Sequence, residues 1–557
     1  MRPTLFGEEQ IDAFVRAGYW REQTLSDVWD DNARDHPHHP GFVDEDEAMT
    51  WAELNRFADA AAVVLAELVP ETDRMVLLMQ PNWWEAYALR IALQRAGLIA
   101  VIAPLSVSPE GFAEIVRLAR PAAGIFPGDE EGRALAGRAW QLAGGEDGGF
   151  RVLSVRATSS DAPTDLRQLA AARDDLSGAR DRALGAFDLD VVRTTSGSTG
   201  LPKLVHNPSA PRVYVGRQQV ERMAMDTGSR WLSLLGPHSG LMVPAYYSAP
   251  LVAATSYLLP RFSGDLSLEQ LLATGATHAG AVPTQLSRIL SAPSLVDGST
   301  SLDELRLRTV FCGGAVLPSV VRKEFEDVTG ACVMNVYGLT EGSIGMEAAP
   351  DPMSDDGLVR ALITYPGVEI DIRRGDDDAD IGEIWVAGPS LHSGYVGDDP
   401  AGDVYSIDDA GKLWMRTGDL GYVDDGGRLH VTGRLKEVII RGGLNIWPAE
   451  IEKAMLEIPA VREVACVPVP DEEMGERVCA CVVLDPDHDT DLDLETLRRH
   501  LDQHGLPKSH WPEYLHVMEE LPLVTGQKID RSRLRVIAAD RFATTSSRPT
   551  STARPTR

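Results

Sequence analysis

Cysteine is scarce. Five residues in 557 (Cys312, Cys332, Cys466, Cys479, Cys481) form an odd set without the paired spacing of a metal site, so they read as reduced, mostly buried thiols. Long apolar runs are missing too. No segment is charge-free for long enough to span a bilayer, and Met1 to Phe14 carries acidic residues where a secretory signal needs an uninterrupted apolar stretch. A cytoplasmic protein is expected. Basic residues are outnumbered, 53 against 83 acidic ones, and the resulting net charge of −30 repels nucleic acid and anionic membranes, so neither is an expected partner. The same field opposes any anionic substrate, which must be met by locally gathered positive charge or by backbone N–H groups.

What is present is ordinary globular material, 44% apolar and 24% charged, in a chain longer than one hydrophobic core supports, so at least two domains are expected. Thr50-Trp-Ala-Glu53 has capping-box spacing, and Leu54, Phe57, Ala58, Ala61, Ala62 and Leu65 then fall on one helical face. Met75 to Met79, Ala88 to Ala96 and Leu98 to Ile102 read as strand, helix, strand. Apolar runs at Gly124 to Phe126, Tyr257 to Leu259, Ala279 to Val282 and Arg308 to Phe311 continue the alternation, which favours α/β layers with parallel strands. Between Ser159 and Gly185 an Ala-, Arg- and Asp-rich stretch predicts exposed helix and loop joining subdomains. Past Trp414 short strands and tight turns such as Asp424-Asp425-Gly426-Gly427 give way to a helix with Leu494, Leu497 and Leu501 on one face. The fold class expected is α/β, with a large N-terminal domain of layered α/β subdomains (1–434), a smaller α+β C-terminal domain (435–541) and a disordered tail (542–557).

Chemistry concentrates in a few segments. Thr194-Thr195-Ser196-Gly197-Ser198-Thr199-Gly200-Leu201-Pro202-Lys203 leaves the apolar Leu189 to Val192. Its glycines free N–H groups for an anion nest, its hydroxyls add donors and Lys203 adds charge, yet the spacing is not that of a P-loop NTPase. Alone it also reads as a flexible Ser/Gly turn. Tyr337-Gly338-Leu339-Thr340-Glu341 combines an aromatic for base stacking, a hydroxyl for a phosphate oxygen and a carboxylate for a hard cation. Its bland reading is a strand end with a helix N-cap. Gly313-Gly314-Ala315 follows a predicted strand and leaves room for a flat ring, or is a plain turn.

In this order and at this spacing the segments resemble the adenylate-forming superfamily, which includes acyl-CoA synthetases, aryl-acid adenylating enzymes, peptide-synthetase adenylation domains and luciferases. The resemblance implies an ATP- and Mg²⁺-dependent ligase. By it, the Thr194 to Lys203 segment holds phosphates; Gly313, Gly314, Ala315, Tyr337 and Gly338 hold adenine; Thr340 contacts phosphate and Glu341 the metal. It further assigns Asp419 and Arg434 to the ribose, Lys436 to the turning point of a mobile C-terminal domain, and Lys528 to adenylation. The usual Gly-Lys is here Gln527-Lys528, with Gly526 one place earlier.

For the acid, Leu235-Gly236-Pro237-His238-Ser239-Gly240 offers no carboxylate to an α-ammonium, so amino acids are disfavoured. His238 resembles the family's gate at the substrate carboxylate, with a structural histidine as the alternative. Ser239, Tyr246, Ala281, Val282 and Pro283, with Leu241, Met242 and Gly313, suggest an apolar pocket with a few donors. An aromatic or cyclic carboxylic acid is expected. The acceptor segment Arg441-Gly442-Gly443 to Glu452 resembles the acyl-CoA synthetase version, with Gly443 beside the passing thiol of coenzyme A. The alternatives are a stand-alone adenylating enzyme serving a carrier protein or another nucleophile and, in another class, a silent nucleotide sensor.

Overall fold

The computed structural model describes residues 5–72, 74–157, 165–195, 201–347, 362–374, 381–392, 394–397, 402–485, 492–524 and 528–542. The expected Ser196 to Gly200 loop, Gly526-Gln527 and residues 543–557 lie outside them.

A large N-terminal domain is built on two sheets. The six-stranded sheet places Arg151–Val155, Ala123–Pro127, Met75–Leu78, Ile99–Ile102, Val191–Thr195 and Lys203–His206 side by side. Met75 pairs with Ile99 in the parallel register expected for a strand–helix–strand unit, whose helix is Trp84–Arg95. The last strand turns back antiparallel, setting Lys203 opposite Thr195. The helix Trp51–Leu68 begins in the expected capping box, with the Thr50 N–H donating to Glu53 Oε2 at 2.9 Å.

The fourteen-stranded sheet has a parallel block, Thr255–Leu258, Arg230–Ser233, His278–Ala281, Thr309–Gly313 and Cys332–Leu339, that continues antiparallel into Gly342–Glu347 and on to Leu413–Val423 and Leu429–Arg434. Its parallel strands are buried on both faces, as near-continuous apolar sequence requires. Side chains alternate with period two. Trp231, Val282, Phe311 and Met334 join the core that holds Tyr246. Leu232, Ala279, Ala281, Val310 and Cys312 join the other, with Leu286, Ile289 and Phe325.

A smaller C-terminal domain follows. It holds the five-stranded sheet, in which Val461–Asp471 and Gly475–Leu484 form a long hairpin, and the helix Leu494–Gln503 that buries Leu497 and Leu501. The Arg-rich stretch up to Gly185 is the short helix Leu166–Ala171 followed by largely exposed turns, as expected; Leu166 and Ala170 are buried, and Arg173, Arg180 and Arg182 tie it to Glu67, Asp59 and the Ala66 carbonyl of the helix Trp51–Leu68. One boundary needs correction, at the tail. The final helix reaches Phe542, the first residue of the expected tail, whose ring stacks on Tyr514 at 4.6 Å. All five cysteines are free and four are buried. No helix among the described residues is long and apolar enough to cross a membrane.

Candidate functional site

The strand Val191–Thr195 delivers Thr194 and Thr195, both half-buried, to the edge where Lys203 begins the return strand. The Lys203 ammonium lies 5.0 Å from the ring centre of Tyr395, whose hydroxyl donates to Glu341 Oε1 at 2.8 Å. Glu341 is 8% exposed. Burial raises its pKa against the opposing pull of the Tyr395 hydrogen bond, Lys203 and Arg434. The adjacent Thr340 is half-buried, and its carbonyl accepts from His392 Nδ1 at 2.7 Å.

Tyr337 lies near the end of the strand Cys332–Leu339, one residue beyond Val336, which pairs with Gly313. A Cβ at Gly313 would come within 2.6 Å of Val336 Cγ1, so only glycine allows the two strands to lie this close there. Gly314 has a φ of +81°, and Ala315 and Gly338 are exposed beside it. From across the sheet Asp419 meets Tyr337: the phenol donates to Asp419 Oδ2 at 2.8 Å, and Arg434 Nε sits 3.0 Å from Oδ1. Asp419 and Arg434 are direct register partners on adjacent strands, which fixes their pairing through the backbone ladder.

The acid-side candidates gather around Arg193, which precedes Thr194 on its strand. Its Nη1 donates to the carbonyls of Ser239 at 3.1 Å and of His238 and Pro237 at 3.4 Å. His238 folds back over Gly236, and burial with Arg193 beside it pushes its pKa down to about 4. Tyr246 lies in a π-helical turn, Pro244–Ser248, a rare geometry frequent at functional sites. Its ring centre is 4.5 Å from that of Tyr87 and 5.1 Å from the Arg193 guanidinium. Its hydroxyl is buried with no hydrogen-bond partner among the described residues, and burial pushes its pKa up to about 12. Val282 shares the Tyr246 core, and buried Pro283 begins the next helix. Ala281 does not line this side: the strand's period of two turns its methyl into the opposite core with Cys312. Gly280 occupies the near side instead, and a Cβ there would fall 2.7 Å from Trp231 Cζ2.

Sequence reasoning missed the buried cations. Arg90 and Arg212 are 1% exposed and Arg193 3%. Asp190 pairs with Arg90 at 2.9 Å, while Arg193 takes backbone carbonyls and Arg212 takes Asn207 Oδ1 and the Thr340 carbonyl. This is the local positive charge that the −30 chain needs if it is to hold anions. The signal was an arginine next to an apolar strand run and another inside a fully buried helix. The anchors His392, Asn207 and Tyr395 carry no comparable sequence signal.

The remaining candidates follow on the C-terminal side. Lys436 is exposed in the 3-10 turn Leu435–Glu437, where its carbonyl accepts from Arg535 Nη2 at 2.9 Å. Gly443, with φ +85°, is exposed in the turn after Ile439–Arg441. Lys528 pairs with Val524 in a short two-stranded ribbon. Arg531 anchors the following helix through Glu452, with both contacts at 2.8 Å.

Residues 29–396 match the AMP-binding enzyme model and residues 450–528 the AMP-binding enzyme C-terminal domain model. A salicylyl-CoA synthase / salicylate adenylyltransferase from a Streptomyces species is 30% identical over 95% of this chain and 96% of its own length. A medium-chain fatty-acid–CoA ligase from Escherichia coli is 30% identical over 96% and 94% of the two chains. Among solved structures, an amide bond synthetase from Marinactinospora thermotolerans superposes with a TM-score of 0.78 at 28% identity, covering 92% of this chain and 99% of that one.

Proposed function

The chain belongs to the AMP-binding enzyme family of adenylate-forming acid ligases, and on that premise we propose that it adenylates a ring carboxylic acid with release of pyrophosphate and passes the acyl group to coenzyme A. The observation that carries this reading is the convergence of Tyr337, Asp419 and Arg434 on one side and Lys203, Tyr395 and Glu341 on the other.

In the proposed reaction Asp419 accepts from the ribose hydroxyls and Arg434 steadies it. Tyr337 and the Gly313 to Ala315 shelf flank adenine. Thr194, Thr195, the loop from Ser196 to Gly200 and Lys203 hold the phosphates. The buried Glu341 carboxylate, whose charge is only partly balanced by the Tyr395 phenol, Lys203 and Arg434, would serve as an oxygen ligand for Mg²⁺ together with phosphate oxygens, and the Thr340 hydroxyl would donate to phosphate. Such a cation, when bound, neutralises phosphate charge. Lys528 stabilises negative charge as the acid carboxylate displaces pyrophosphate at the α-phosphorus. Rotation about Lys436 then exchanges Lys528 for Gly443, whose open backbone admits the pantetheine thiol.

Ring acids are favoured by the aromatic rings of Tyr246, Tyr87 and Trp231, which gather with Val282 in one core near a His238 that burial keeps neutral. Coenzyme A is favoured as acceptor by the exposed Gly443 turn and by the two relatives named as CoA enzymes. A second reading, transfer to an amine or a carrier protein, is supported by the likeness to the amide bond synthetase. Pyrophosphate release measured over a panel of acids, with and without coenzyme A, tests both. Acid-dependent release that coenzyme A does not accelerate would remove the CoA step and leave adenylation.

A further inference from the structure

The two proposed halves of the nucleotide site stand on different sheets: Thr195 and Lys203 on the six-stranded sheet, Tyr337 to Glu341 on the fourteen-stranded one. One short segment ties them together. Leu391 bridges to Gly342, the His392 N–H donates to the Glu341 carbonyl at 2.8 Å, the His206 N–H donates to the Gly394 carbonyl at 2.8 Å, and Tyr395 bridges to Val205.

Within this strap His392 is fully buried, and its ring reaches the peptide that joins Thr340 to Glu341. Nδ1 lies 2.7 Å from the Thr340 oxygen, 2.9 Å from Asn207 Nδ2 and 3.3 Å from Arg212 Nη2; a carbonyl oxygen only accepts, so the shortest of these contacts is a hydrogen bond in the tautomer that carries its proton on Nδ1. Nε2 is buried without a hydrogen-bond partner among the described residues, which suits a nitrogen that bears no proton. Arg212 donates through Nε to Asn207 Oδ1, which turns the Asn207 amide nitrogen toward His392 and toward the Thr340 oxygen, 3.4 Å away. Arg212 Nη2 is also 3.4 Å from that oxygen. In that tautomer His392 supplies the shortest donor to the Thr340 carbonyl among the described residues, and the strap in addition holds the Glu341 carbonyl through the His392 N–H and one carboxylate oxygen through Tyr395.

We propose that His392 is a positioning residue: acting through the Thr340–Glu341 peptide, it sets where the Glu341 carboxylate stands relative to the Lys203 edge, and so sets the affinity for the cation–nucleotide complex. This rests on the reading of Glu341 as the cation ligand. A residue that only filled space would be replaceable by any side chain of like volume. A donor at Nδ1 is replaceable only by a group that puts an N–H at the same place, which asparagine does and glutamine, one bond longer, does not.

The test compares His392→Asn, His392→Gln and His392→Leu in the full chain. Mg-ATP binding is measured by calorimetry without acid, the Mg²⁺ concentration for half-maximal acid-dependent pyrophosphate exchange is determined, and thermal midpoints are recorded alongside. The expected result is that Gln and Leu each raise the Mg-ATP Kd and the half-saturating Mg²⁺ at least tenfold, while Asn stays within threefold of wild type. Should the Leu variant fail to fold, the Asn and Gln pair still decides the matter. If both quantities stay at wild-type values in the Gln variant, or rise equally in Asn and Gln in step with lost thermal stability, His392 is only packing and the inference is overturned. A wild-type chain that exchanges pyrophosphate without any divalent cation would instead overturn the Glu341 reading, and this inference with it.

Discussion

The Tyr337 hydroxyl donates to the Asp419 carboxylate across 82 residues of sequence, and the same carboxylate is held from its other oxygen by Arg434. Asp419 is thus pre-aimed before any ligand arrives. Its 3% exposure means that the orientation is set by protein contacts rather than by water.

If Asp419 receives the ribose hydroxyls, Asp419→Ala loses hydrogen bonds to a charged acceptor, each of about 1.5–3 kcal/mol. The KM for ATP should rise roughly ten- to a hundredfold, while the KM for the acid moves little. Tyr337→Phe, which keeps the ring and the carboxylate, should cost several-fold less. Steady-state kinetics with each substrate varied in turn separates the two, and an unchanged ATP KM in Asp419→Ala would remove Asp419 from the nucleotide site.

His238 carries a pH signature. Its folded pKa is depressed to about 4 against an ordinary value of 6.5, so the unfolded chain binds more protons between these values. Stability is full above the unfolded pKa and falls as pH drops toward the folded one, by roughly 2 kcal/mol at pH 5 from this residue. Urea midpoints of wild type and His238→Asn at pH 7.5 and pH 5 should therefore diverge, with wild type losing more. Parallel losses would mean that the imidazole is not held neutral.

Lys528→Ala should lower adenylate formation roughly a hundredfold or more, the usual effect of removing a charge contact made in the transition state. Thioester formation from a preformed acyl-adenylate and coenzyme A should proceed as in wild type. Retained adenylation in the variant would return the role to a cation on the large domain.

For the acid, a linear-chain enzyme gains about 0.8 kcal/mol per buried methylene, so kcat/KM would climb with length. The expected outcome is a preference for benzoate- or cyclohexane-like acids over linear acids of equal carbon number. Because the Tyr246 hydroxyl is buried and unpartnered among the described residues, a ring hydroxyl should add to that preference, and Tyr246→Phe should erase the increment. Octanoate outperforming every ring acid would end the ring-acid reading while leaving adenylation intact.

The sequence carried the parts whose chemistry is local. The Thr50 capping box, the apolar runs and the Gly, Ser and Thr loop before Lys203 each declare themselves within ten residues. Facing was harder. The run from Ala279 to Val282 marks a strand, but only the sheet's packing shows that Gly280 and Val282 face Tyr246 while Ala281 faces away. The partners of Arg173, Arg180 and Arg182 were not legible because composition is silent about contacts, and theirs lie more than a hundred residues upstream. His392 was illegible for the same reason: a buried histidine acquires its meaning from a carbonyl 52 residues away.

The buried arginines give the molecule two electrostatic ranges. At a distance a nucleotide would face a strongly negative protein, while the positive charge of Arg193 and Arg212 is buried and that of Lys203 stands beside Tyr395. Salt screens the first range and not the second, since the Debye length shrinks from about 30 Å at 0.01 M to about 8 Å at 0.15 M while buried charges are little affected. Moderate ionic strength should thus speed capture of the nucleotide rather than impede it, the reverse of what a basic nucleotide-binding surface shows.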